Sequence, residues 1–152
     1  MKKRSLFVLT AAALSVVFLF AFVYAAGQTC PDTITMESKL FPTHKKSLVN
    51  FTHTKHNVDY KIACADCHHV IKDGKNTFKE GDPVQKCAEC HKEAKAPTGE
   101  GAPKLSKAEK IKTYYYSAIH ENCAGCHKEL KKAAKPTGPT TCSKCHPKPA
   151  AK

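Results

Sequence analysis

The chain has 152 residues, room for one domain, with 25 Lys and Arg against 13 Asp and Glu and a formal charge of +12. Residues 26–152 hold 16 Ile, Leu, Val and Phe among 127, about 13%. That is below the roughly 20% under which a charged chain is expected to stay disordered, so an ordinary aliphatic core is excluded. The same stretch carries 22 Lys and no Arg; without guanidinium forks or a recognition motif, nucleic-acid binding is not expected.

The first residues read as a targeting segment. Met1-Lys2-Lys3-Arg4 is basic, residues 6–23 are apolar, and Val23-Tyr24-Ala25 offers small residues at the positions a signal peptidase reads. Residues 1–25 are therefore expected to be a signal peptide, with an uncleaved anchor as the alternative because the apolar run is long. Either way the remainder is expected outside the cytoplasmic membrane, in the periplasm. Residues 26–49 read as an N-terminal extension. Thr33-Ile34-Thr35-Met36 suggests a short strand, Pro31 and Pro42 are punctuation, and His44 is a surface histidine or a spare ligand. Cys30 is the ninth cysteine, a thiol of the N-terminal segment or half of a disulfide dimer.

The stretch 51–69, FTHTKHNVDYKIACADCHH, organises the remainder of the chain. It contains Cys64-Ala65-Asp66-Cys67-His68, and the same pattern returns as Cys87, Cys90, His91; Cys123, Cys126, His127; and Cys142, Cys145, His146. Cys-x-x-Cys-His attaches c-type haem. Two cysteines at this spacing reach the two vinyl groups on one edge of a porphyrin, and the next histidine falls under the iron. A zinc site or a redox dithiol would be open for one copy. Four copies on an exported chain favour four covalently bound haem c groups, with the porphyrins supplying the core that the polypeptide lacks.

Asp73-Gly74-Lys75-Asn76 and Gly81-Asp82-Pro83 read as turns, and 94–104 as a Pro- and Gly-rich loop. Ser106 and Glu109 form a capping-box pattern, so a helix is expected from Lys107 to about His120, carrying Ile111, Tyr115 and Ile119 at helical spacing. Tyr114, Tyr115 and Tyr116 are packing material for porphyrin or protein. Residues 129–135 read as a lysine-rich helix, 136–140 as a loop, and 147–152 as a frayed tail. Lys128, Lys131, Lys132, Lys135, Lys144 and Lys148 cluster in sequence around the last motif. They are either a solvated face or a docking patch.

Four histidines are proximal ligands by motif, and five remain: His44, His53, His56, His69 and His120. Four irons need four sixth ligands. Met36 is the only methionine outside the leader, so bis-histidine ligation is the economical reading. Histidine in place of methionine lowers the reduction potential, and a filled sixth position leaves no site for substrate. His53 and His56, three apart, share one face of a helical turn and can reach two irons. His68 and His69 are adjacent and must diverge.

These positions resemble the class III cytochromes c, the tetrahaem cytochrome c3 family. The resemblance covers about 50–146. It rests on Phe51, His53 and His56, on Cys67-His68-His69, and on Tyr115 and Tyr116 before His120. It implies His53 as distal ligand of the first haem, His69 of the second, His56 of the third and His120 of the fourth, with Phe51 between haems. It also implies an electron carrier of anaerobic respiration, not an enzyme, that docks through lysines near the fourth haem. The expected partners are acidic redox proteins such as hydrogenase and membrane-bound cytochrome complexes. Many members have four residues between the cysteines of the second and fourth motifs, whereas all four motifs here have two. The expected fold is mainly α and irregular, a small multihaem cytochrome domain over 50–146 with a haem core, few helices and little β. The rival functions are a small multihaem reductase, which needs an open iron, and a subunit of an extracellular cytochrome filament, to which His44 could lend a ligand.

A chain with so little aliphatic surface should not fold without its cofactors. Protein produced without haem attachment is expected to lack a cooperative thermal transition by circular dichroism; a compact apo-protein that melts cooperatively would contradict this.

Overall fold

The structure is a computed structural model and describes residues 30–148. The signal peptide read over 1–25, the following residues 26–29 and the end of the tail, 149–152, lie outside the described residues. From Pro31 onward the described chain falls in one compact unit, to which the segment before Asn50 contributes a strand.

The architecture is mainly helical and irregular, with two small sheets. Strand β1 (Thr33–Thr35) pairs antiparallel with β2 (Asn50–Thr52), setting Ile34 opposite Phe51. Only β1 was legible in the sequence. β2 is too short to show a period and owes its strand form to its partner; Met36 N–H continues the ladder to the Val49 carbonyl at 2.8 Å. The pairing matters because β2 runs directly into a π-helical turn, Lys55–Asp59, which contains His56. The Thr54 hydroxyl and N–H both bond Asp32, at 2.6 and 3.2 Å, and fix that exit. The second pair is a tight hairpin, β3 (Ile71–Lys72) and β4 (Lys75–Asn76). Asp73 and Gly74 turn it with φ of 49° and 74°, the left-handed pair a two-residue hairpin demands. Asn76 ties this hairpin to the first motif: its amide donates to the carbonyls of Ala65 (3.0 Å) and His68 (3.1 Å).

Three motifs fold as single helical turns: α1 (Cys64–Cys67), α2 (Cys87–Cys90) and, at the end of the chain, Cys142–Cys145. Each follows an extended residue and closes when the motif histidine's N–H donates to the first cysteine's carbonyl, at 2.8, 2.9 and 2.8 Å for His68, His91 and His146. One such turn puts both sulfurs on one side and the histidine at its end. Between them run α3 (Lys107–Thr113) and α4 (Tyr115–His120), followed by a π-helical turn, Glu121–Gly125, and α5 (Cys126–Lys132). The last motif is then α6 (Cys142–Cys145). The third motif straddles the π turn and α5, so its two cysteines sit in one continuous helical run.

Helix α3 starts at the expected capping box. Glu109 N–H donates to the Ser106 hydroxyl at 3.2 Å, Ser106 N–H donates to the Glu109 carboxylate at 2.7 Å, and these bonds hold the Glu109 carboxyl below its usual range. The single helix expected to run to His120 is broken. Tyr114 is extended (φ −104°, ψ 121°), because the backbone there joins the segment after α2: Tyr115 N–H donates to Glu93 O at 2.8 Å and Tyr116 N–H to Ala94 O at 3.0 Å. The helix read over 129–135 begins earlier, at Cys126, and stops at Lys132. It ends in a Schellman-type turn, with Lys135 N–H reaching Leu130 O at 2.9 Å and Ala134 at φ 53° where glycine is usual.

Among the described residues the apolar side chains that are buried are Phe78 and Tyr115, and no large side chain is fully enclosed. Tyr115 packs edge-on against Phe41 at 6.0 Å, and Phe78 lies 5.5 Å from the His68 ring. Protein packing alone thus makes two small contacts rather than a core.

Ala134 holds a left-handed conformation that costs an L-residue about 1 kcal/mol. Ala134→Gly is expected to stabilise the haem-loaded protein by about 1 kcal/mol in guanidinium unfolding; unchanged or lower stability would contradict the assignment of this turn.

Candidate metal centres

Eight of the nine histidines meet in pairs. The ring centroids of His53 and His68 are 6.2 Å apart, His69 and His91 6.0 Å, His56 and His127 6.2 Å, and His120 and His146 6.3 Å. Each pair joins one motif histidine to one from outside the motifs. The interplanar angles are 67°, 76°, 25° and 33° in the same order. Separation is constant while rotation is not. Rings that simply pack would move closer as they became parallel. Two imidazoles on opposite sides of one metal, each nitrogen about 2 Å from it, have centroids roughly 6 Å apart at any rotation.

The protons of five of these rings can be placed. A carbonyl oxygen only accepts, so a ring nitrogen bonded to one carries the hydrogen. His56 Nδ1–H donates to Thr52 O (2.8 Å), His91 to Lys112 O (3.2 Å), His120 to Tyr116 O (2.8 Å), His127 to Pro139 O (2.9 Å) and His146 to Ser47 O (2.6 Å). Each bond leaves Nε2 with its lone pair for a metal and strengthens the ring as a donor. The two histidines outside the motifs find their acceptors four residues back, one helical turn away. The three motif histidines find theirs 21, 12 and 99 residues away. These carbonyls were invisible in the sequence, since any residue supplies one.

Aromatic rings hold several imidazoles from the side. Phe51 lies 5.7 Å from His53 and 4.5 Å from His56, between two pairs. Tyr116 lies 4.1 Å from His120, and Lys95 Nζ stands 5.1 Å from the Tyr116 centroid. His44 sits apart, exposed, with its ring 6.1 Å from Phe41.

Cys123 is solvent-accessible by area, yet protein crowds its thiol enough to push it up to about 11, burial first and then Cys67, Cys87 and Cys145 of the other three motifs. Burial likewise pushes the Cys67 and Cys87 thiols up. His68 is lowered by burial and by its neighbours His53 and His69, which favours the neutral ligating form. The eight motif cysteines form no disulfides. Among the described residues no group of three or more His, Cys, Asp and Glu surrounds a common point. Each pair offers two facing imidazoles, one of which follows two motif cysteines in sequence, a donor set that would suit a tethered iron porphyrin.

The six lysines singled out are all exposed. Lys128, Lys131 and Lys132 line one open cleft with Thr140, two residues before the fourth motif, and Lys132 pairs with Glu129 at 2.7 Å.

The sequence model of the class III cytochrome c family matches residues 30–146. A cytochrome c3 of Maridesulfovibrio salexigens is 38% identical over 109 residues, covering 68% of this chain and 81% of the relative. A 26 kDa cytochrome c3 of Desulfomicrobium norvegicum is 32% identical over 121 residues, covering 76% and 94%. The crystal structure of a di-tetrahaem cytochrome c3 from Desulfovibrio gigas shares the fold with a TM-score of 0.50 at 24% identity, over 76% of this chain and 95% of that one.

Proposed function

Because the chain belongs to the class III cytochrome c family, a family of multihaem electron-transfer proteins, we propose that it is a periplasmic, low-potential carrier holding four covalently bound haem c groups. The observation that carries this reading is the set of four imidazole pairs at one separation, 6.0–6.3 Å. Haem c, when bound, supplies one-electron iron chemistry.

The chain's own residues do the rest. Cys64 and Cys67, Cys87 and Cys90, Cys123 and Cys126, and Cys142 and Cys145 are the attachment points. His68, His91, His127 and His146 are the proximal ligands, and His53, His69, His56 and His120 face them in that order. The carbonyls of Lys112, Pro139 and Ser47 keep three proximal rings in the Nδ1–H tautomer. A ring so bonded is a stronger donor, favours the oxidised iron and lowers the potential. With an imidazole on each side of every centre no position is left for substrate, so no residue is assigned a catalytic role.

The six lysines form the docking surface for acidic redox proteins such as hydrogenase and membrane-bound cytochrome complexes. The cleft that joins Lys128, Lys131 and Lys132 to Thr140 supports this, since it brings these lysines, Lys132 paired with Glu129, to a residue two positions before Cys142. The basic, apolar leader supports export. No helix among the described residues is long and apolar enough to cross a membrane.

Two experiments test these roles. His120→Ala is expected to turn one haem in four high-spin in the oxidised protein, whereas His44→Ala leaves the low-spin spectrum unchanged; the reverse outcome would exchange the two residues and undo the ligand set. Reversing two charges, Lys131→Glu with Lys135→Glu, is expected to slow second-order reduction by an acidic donor about tenfold at low salt, with the difference fading as salt rises. An equal rate at low salt would remove the docking role.

A further inference from the structure

Gly138 stands out among the described glycines. A Cβ placed on it would lie 2.5 Å from Cε1, 2.8 Å from Nε2 and 3.0 Å from Nδ1 of His127, whereas one on Gly74 would meet nothing within 4 Å. Gly74 is needed for its left-handed φ of +74°; Gly138 has no such backbone conformation, so what it provides there is space. The ring cannot easily retreat. Its Nδ1–H is bonded to Pro139 O at 2.9 Å, its own carbonyl accepts from the Thr137 hydroxyl at 2.9 Å, and His56 lies across from it at 6.2 Å. Three consecutive residues, 137–139, thus wrap one histidine, and the middle one must lack a side chain for its neighbours to reach.

We propose that Gly138 is a positioning residue for His127: its bare backbone lets the 137–139 turn lie against the imidazole, so that Pro139 O sets the ring's rotation and donor strength at the third metal centre. The proposal rests on the reading of His127 as an axial ligand. A methyl group here must move either the ring or the turn. Moving either one weakens the Nδ1–H bond to Pro139, makes the imidazole a poorer donor and favours the reduced iron at that centre. Thr137→Val removes a second bond of the same wrap without adding bulk near the ring nitrogens.

The test uses the haem-loaded, full-length protein and its Gly138→Ala and Thr137→Val variants. Haem content and spin state of the unaltered protein come first, because fewer than four low-spin haems there would overturn the ligand reading itself. With that established, haem-resolved redox titration by NMR is compared across the three proteins, with EPR of the oxidised samples. The expected result is a rise in the midpoint potential of one haem, the one ligated by His127, with a changed low-spin EPR signal for that haem. The shift should be larger in Gly138→Ala than in Thr137→Val. Four unchanged potentials in Gly138→Ala, or an equal shift of all four, would overturn the positioning role. If Gly138→Ala does not load haem, Thr137→Val decides: a shift confined to the same haem supports the proposal, and no shift overturns it.

Discussion

An imidazole whose Nδ1–H is bonded to a carbonyl has one direction left for its lone pair. Much of this molecule results from placing eight imidazoles, five of them so bonded, in four facing pairs. The requirement explains features that would otherwise be unrelated. Ser47 meets His146 across 99 residues, which draws the N-terminal segment into the fold. Lys112 at the end of α3 meets His91, and the same region breaks the expected helix at Tyr114 to bond Glu93 and Ala94. The π-helical turn Lys55–Asp59 contains His56, and Glu121–Gly125 separates His120 from His127.

The same constraint substitutes for a hydrophobic core. Phe78 and Tyr115 are the buried apolar side chains among the described residues. Two such groups cannot offset the ordering entropy of a chain this long. Stability must come from groups that bond to both the thiols and the imidazoles and present large apolar faces. Phe51, Phe78 and Tyr116 each lie against a paired histidine. Packing in this fold is organised around ligands.

How much of the fold and site is legible in the sequence depends on whether the signal is local. The motifs are local, so the four attachment sequences and the capping box of α3 were legible, as was the turn at Asp73-Gly74, while the helical form of α1, α2 and α6 was not read. The eight histidines whose rings face one another in pairs are the eight that counting and resemblance singled out as candidate ligands. What escaped depends on distant backbone. β2 exists only because β1 lies beside it, α3 and α4 separate because Glu93 offers a carbonyl, and Ser47, Lys112 and Pro139 act through main-chain oxygens that any residue carries. Gly138 was hidden for the same reason: a Gly between Thr137 and Pro139 reads as a loop until a histidine ring is found above it.

The most direct measurement takes one sample of the oxidised holoprotein and combines a pyridine haemochrome count with EPR. Four haems per chain, all low-spin with the signature of two imidazole ligands, is the result that four facing pairs require. A count below four, or a high-spin or histidine–methionine signal from any of the irons, would contradict it.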